Sequence, residues 1–219
     1  MNKTMLLAAG AVLALTGAAS AAGHIAPAGH GVVKAFPRGA VDRAAHVLYD
    51  QHGTDSGIGI VSQNFESSFD AYDAQAADDF TVSGGKWKVS EVDVNGVYFN
   101  GSGPARDETV TFYKDKNGHP GKTVSSQTAA GSDSFGSFNI KLGSNVKLKP
   151  GHYWVSVVAN LDFGAGGEWG WENQTTTVGD PAQWQNPGGG FGVCSTWGDE
   201  NSCIPDGQGD HMFTIKGKG

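Results

Sequence analysis

From Val47 to Ile215 apolar residues recur at every second position in short runs, and each run is broken by Gly, Asn, Asp or Pro. A repeat of two turns successive side chains to opposite faces, which suits a half-buried strand and defeats a helix. No long window carries a helical stripe. The best helical candidate, "SFDAYDAQAADDF", offers a turn or two before the first core strand. Many strands without intervening helices predict an all-β fold, an antiparallel β-sandwich of jelly-roll type in a single domain.

The runs can be phased individually. In "GKWKVSEVDVNGVYF" Trp87 and Val89 share one face while Val92 and Val94 fall in the opposite phase, so a bulge is expected near Ser90-Glu91. "ETVTFYKD" turns Val110 and Phe112 inward, "SFNIKL" does so with Phe138, Ile140 and Leu142, and "HMFTIKG" with Phe213 and Ile215. "GHYWVSVVANLDF" is almost continuously apolar from Tyr153 to Val158, which marks a central strand covered on both faces.

Ahead of these runs lies a segment of another kind. Lys3 precedes an apolar run from Met5 to about Leu15, followed by Ala19-Ser20-Ala21. A basic start, a short apolar stretch and an A-x-A site predict a signal peptide over residues 1–21, too short to span a bilayer. Residues 22–46 lack periodicity and read as a flexible leader; the sandwich domain is assigned to residues 47–219. The expected location is therefore secreted, extracellular or periplasmic, with no membrane attachment after cleavage.

The net charge of −7 disfavours nucleic acid and anionic lipid surfaces as partners, because both are polyanions. Export also makes the cysteines informative. Cys194 and Cys203 are the only two, and an oxidising compartment predicts a bridge between them.

Several stretches raise the question of chemistry. "YKDKNGHPGK" sets Asp115 and Asn117 before Gly118, yet the twelfth position from Asp115 is Ser126, so a calcium loop of EF-hand type fails. Asn117-Gly118 is instead a hairpin signal, and Pro120-Gly121 suggests a second bend. Glu66, Asp70, Asp73, Asp78 and Asp79 form an acidic cluster in sequence; solvated loop carboxylates are one outcome, and a calcium site using Asp78 or Asp79 is the other. No other cofactor is expected.

"GEWGWENQ" places Trp169 and Trp171 on one face of a strand and Glu168 and Glu172 on the other. Two indoles so placed either fill a core or form a platform on which a sugar ring stacks. The stretch "QWQNPGGGFGVCSTW" adds Trp184 and Asn186 at the root of a glycine-rich loop, which the indoles and the disulfide would anchor at its two ends. Loops held by rigid strands are where ligand contacts collect. Trp169, Trp171, Trp184 and Asn186 are thus the candidate ligand contacts, and an extracellular polysaccharide the candidate partner.

Catalytic patterns are missing. There is no nucleophile elbow, zinc-protease helix or phosphate loop, and the histidines have no metal-ligand spacing. Cys194 lacks a papain-type context and is expected to be bonded to Cys203. A glycosidase using Glu168 or Glu172 would need a second carboxyl at a set separation, which sequence cannot display.

Together, "ADDFTVSGGKWKVSEVDVNGVYFNG", "VTFYKDKNGHPG", "KPGHYWVSVVANLDF" with "WGWEN", and "QWQNPGGGFGVCSTW" resemble a family of secreted bacterial β-sandwich modules without an assigned activity. The resemblance runs from about Leu48 to Ile215 and implies the fold and the export, but no catalytic residue. The sequence thus predicts a non-enzymatic secreted binding module, carbohydrate its expected ligand; a structural surface protein without a small-molecule ligand is the alternative, and a hydrolase the more distant one.

Overall fold

The computed structural model describes residues 45–219 apart from 206 and 208. The expected signal peptide and nearly all of the expected leader fall outside the described residues. Within them the chain is mostly antiparallel β-sheet, arranged as an all-β sandwich of three sheets.

The five-stranded sheet runs in the order β1 (His46–Gln51), β15 (Phe213–Lys218), β5 (Trp87–Val94), β10 (Ser137–Leu148), β9 (Ser132–Ser134). The seven-stranded sheet runs β14 (Gly198–Asp199), β13 (Gln183–Gln185), β4 (Gln75–Val82), β11 (Gly151–Asn160), β7 (Asp107–Asp115), β8 (Pro120–Ala129), with β3 (Gln63–Asn64) pairing parallel to the end of β11. A three-stranded sheet, β2 (Asp55–Val61), β12 (Glu168–Gln174), β6 (Gly96–Phe99), completes the set.

The two larger sheets meet through their apolar faces. Phe80 of β4 stacks on Trp87 of β5 with ring centroids 6.2 Å apart, and Tyr49 of β1 lies 6.0 Å from Phe80. From the seven-stranded sheet Val110, Phe112, Val155 and Val157 enter this layer; from the five-stranded sheet come Val89, Val92, Ile140 and Ile215. Trp169 of β12 stacks on Phe138 of β10 at 5.0 Å, which ties the small sheet to the same core. Burial of these rings and branched chains is the main favourable term, at about 25 cal/mol per Å² of apolar surface.

The strand phasing holds. Glu91 pairs Lys216 and Val89 pairs Gly217, so Ser90 is the extra residue of a bulge, as the change of phase requires. β11 lies between β4 and β7, and its residues from Tyr153 to Asn160 are all buried. Leu142 is only partly buried, because the β5–β10 register breaks between Lys141 and Val146. Asn117 and Gly118 take φ of 58° and 78°, the paired left-handed conformation of a tight hairpin between β7 and β8. The second bend does not form: Pro120 and Gly121 are already in β8, where Pro120 pairs Asp115. The helical candidate also shortens, to a 3-10 helix over Ser67–Tyr72, after which "QAADDFTV" is strand β4.

Candidate functional site

The four expected ligand contacts are all interior. Trp169, Trp171 and Asn186 are fully buried and Trp184 is 1% exposed. Their polar groups are also used within the protein. The indole N–H groups donate to Gly136 O, Met212 O and Val61 O at 2.7, 3.0 and 2.9 Å. Asn186 donates to Ala71 O and Asp73 O and accepts from the Phe191 amide. A ring with both faces covered has nothing to offer a sugar, so the contact role assigned to these four residues is corrected to scaffold. The Trp169/Trp171 spacing did indicate one shared face; that face is the core.

What this scaffold presents is a cleft of about 190 Å³ lined by Phe65, Phe69, Tyr72, Phe163, Glu168 and Phe191. Phe69, Tyr72, Phe163 and Phe191 remain between 37% and 41% exposed. The rings form a chain: Phe163 to Phe69 at 5.7 Å, Phe69 to Tyr72 at 6.2 Å, Tyr72 to Phe191 at 5.3 Å. Solvent-facing aromatics in one run are costly to leave wet, which makes the patch a marker of binding.

Three local structures set these rings. Phe69 and Tyr72 stand three apart on the 3-10 helix, where a three-residue turn stacks them on one side. Phe163 opens a short helical turn, α1 (Phe163–Gly166), whose first amides are held by the Glu66 carboxylate: Phe163 N at 2.6 Å and Gly164 N at 3.3 Å. Backbone amides, its own first and then those of Phe163 and Gly164, keep the Glu66 carboxyl below its ordinary range. Phe191 is delivered by the glycine-rich loop. Gly190 N donates to Ala71 O at 2.7 Å, and a Cβ on Gly188 would lie 2.7 Å from the Ala71 Cα. Glycine is needed there because the two backbones touch.

That loop returns through the Cys194–Cys203 bridge, which is formed as expected. The sulfur of Cys194 is therefore no nucleophile, and His211, fully buried against Trp171 with ring centroids 4.5 Å apart, is out of reach of solvent. Glu168 sits at the cleft rim, where its carboxylate accepts from Asn100 Nδ2 at 2.5 Å.

The two carboxylates expected to offer a calcium site, Asp78 or Asp79, face apart. Asp78 and Asp79 are neighbours on β4, so their side chains leave opposite faces of the sheet. Asp78 points inward and accepts from Gln51 Nε2 at 2.8 Å and the His211 amide at 2.6 Å. Asp79 points outward and meets His152 Nε2 at 2.5 Å and the Asp180 amide at 3.0 Å. No single ion can take both, and each carboxylate is engaged by the protein's own donors. Beyond His152, Asp115 and Asp180 complete a group whose donor atoms lie within 4.8 Å of one another. Sequence spacing missed it because the three residues come from three separate segments.

Fold and cleft define an all-β sandwich that carries a loop-built aromatic cleft. No protein-family model matches the chain, and no curated protein or solved structure does either.

Proposed function

We propose that this protein is a secreted, non-enzymatic binding module that takes carbohydrate in the aromatic cleft formed by Phe69, Tyr72, Phe163 and Phe191. The observation that carries the reading is the cleft itself: four part-exposed rings in contact, with a carboxylate at the rim. A sugar ring offers C–H patches to aromatic faces and hydroxyls to groups such as Glu168, Asn100 and the Tyr72 hydroxyl. Neighbouring rings are inclined by 57° and 85°, so they wrap one sugar unit rather than pave a flat track for a long chain. A terminal or side-branch residue of an extracellular glycan fits this shape best.

Export is supported by the signal-like start, by the formed disulfide and by the motif resemblance to secreted modules. No helix among the described residues is long and apolar enough to cross a membrane. The carboxylate nearest α1, Glu66, is committed to backbone amides, which favours recognition over acid–base chemistry.

Glycan-array screening followed by titration tests the reading. Tyr72→Ala and Phe191→Ala are each expected to weaken the best glycan about tenfold or more, the size of one lost aromatic contact. Glycan binding that survives both changes would move the site elsewhere. If no glycan binds while an apolar peptide does, the predominance of phenylalanine in the lining decides for a protein partner instead.

A further inference from the structure

The outer face of the seven-stranded sheet carries a group of donors unrelated to the cleft. His152 is the second residue of β11, Asp115 ends β7, and Asp180 lies in the connection between β12 and β13. Nδ1 of His152 is 3.7 Å from Asp115 Oδ1 and 3.9 Å from Asp180 Oδ2. These separations are too long for hydrogen bonds. They are close to the roughly 3.4 Å that separates donor atoms around a tetrahedral ion with bonds of about 2.0–2.1 Å.

Each donor is held in place by the protein. The other ring nitrogen of His152 is fixed on the Asp79 carboxylate at 2.5 Å, and Asp79 is 3% exposed. With Nε2 held on that carboxylate, the ring presents Nδ1 to Asp115 and Asp180. A carboxylate on one ring nitrogen, with the other nitrogen turned to further donors, is the arrangement metal-binding histidines use. Asp115 is oriented by two donors to its Oδ1, Trp154 Nε1 and the Gly118 amide, both at 3.0 Å. Asp180 is brought in because its amide donates to Asp79 Oδ1. The preceding Gly179 has φ of 88°, and a Cβ there would fall 2.5 Å from Asp79 Oδ2. The three side chains are between 25% and 42% exposed, so an ion has a path in.

We propose that His152, Asp115 and Asp180 bind one divalent transition-metal ion, zinc by preference, with Asp79 positioning the imidazole. One nitrogen and two carboxylates match zinc with solvent in the fourth place. Calcium is the poorer fit, because it wants six to eight oxygens and no imidazole. The ion would pin the β7–β8 hairpin and the Gly179–Asp180 turn to the start of β11.

Calorimetric titration of chelator-treated full-length protein with zinc, and separately with calcium, tests this. The expected result is one zinc per chain and a raised melting temperature, with calcium at least tenfold weaker. His152→Gln and Asp180→Asn should each cut zinc affinity about tenfold or more. Asp180 lies in an exposed turn, and melting of the metal-free variant checks that its fold is intact. Zinc binding unchanged in both variants would overturn the proposal, since it would place the ion on other histidines. Absence of zinc binding at millimolar concentration, or calcium binding indifferent to His152→Gln, would overturn it equally.

Discussion

At the scale of single residues, scaffold and contact aromatics separate by what their polar atoms do. Trp184 is enclosed and its indole N–H is satisfied by Val61 O, whereas the Tyr72 ring is 41% exposed. Trp184→Ala should therefore destabilise the fold by about 3–5 kcal/mol, through the cavity and the orphaned carbonyl. Tyr72→Ala should stay within about 0.5–1 kcal/mol and lose ligand instead. Urea unfolding of both variants beside glycan titration checks the contrast; equal destabilisation would erase the distinction between the two roles. The sequence showed these residues unequally. Trp169 and Trp171 were legible as sharing a face, but strand alternation says nothing about which face meets water. Phe69, Tyr72, Phe163 and Phe191 escaped because three sit on short irregular turns and one on a glycine loop, where no periodicity marks a surface. The three-residue spacing of Phe69 and Tyr72 was the one signal available, and it is readable only once a 3-10 turn is assumed.

At the scale of elements, the informative unit is the glycine-rich loop between β13 and the disulfide. Its start is pinned as β13 pairs β4, with Trp184 opposite Ala76, and its end is tied by Cys194–Cys203. The bridge closes the following segment, Cys194 to Cys203, which stabilises the fold by about 2.5–3 kcal/mol in the chain-entropy model. Between these anchors the chain lies flat on the 3-10 helix and sets Phe191 beside Tyr72. Gly188→Ala puts a methyl against the Ala71 backbone, which must move aside. The expected cost is about 1–3 kcal/mol, with a larger relative loss of glycan affinity as Phe191 shifts. Tight glycan binding by a Gly188→Ala protein would show that Phe191 need not be held where it is. Elements of this sandwich were legible where burial has a regular period: the Ser90 bulge follows from the phase change between Val89 and Val92. The continuous run of β11 likewise gave its central position. The Pro120-Gly121 bend was misread because proline at the start of an edge strand costs no ladder bond. The His152 group was invisible for a different reason, since only the sheet register brings β7, β11 and the 180 turn together.

At the scale of the whole molecule, an acidic chain has buried several of its carboxyls. Burial, then the charge of Asp210, pushes Asp78 well above its ordinary range. Burial raises Asp210 to about 6, against the pull of the Val178 and Ala182 amides. Glu108 is pushed up to about 7, chiefly by burial, with the Gly131 amide opposing. Asp50 and Glu66 are shifted the other way, Asp50 first by its hydrogen bond to His52, but both lie at the surface. An unfolded chain releases these protons near pH 4, whereas the fold holds them on Asp210 and Glu108 to about pH 6–7. Between those limits the native state binds more protons than the unfolded one, so stability is greatest at the acid end and declines as pH rises. The melting temperature should fall by roughly 8–16 °C between pH 5 and pH 8, from about 4 kcal/mol of lost linkage at about 2–4 °C per kcal/mol for a domain of this size. Glu108→Gln keeps an oxygen for the Gly131 amide and removes the charge. It should match the parent protein near pH 5, exceed it at pH 8, and flatten the upper part of the slope. Scanning calorimetry across this range decides the matter: a curve that rises with pH, or a Glu108→Gln slope as steep as the parent's, would mean these carboxyls are already charged inside the sandwich.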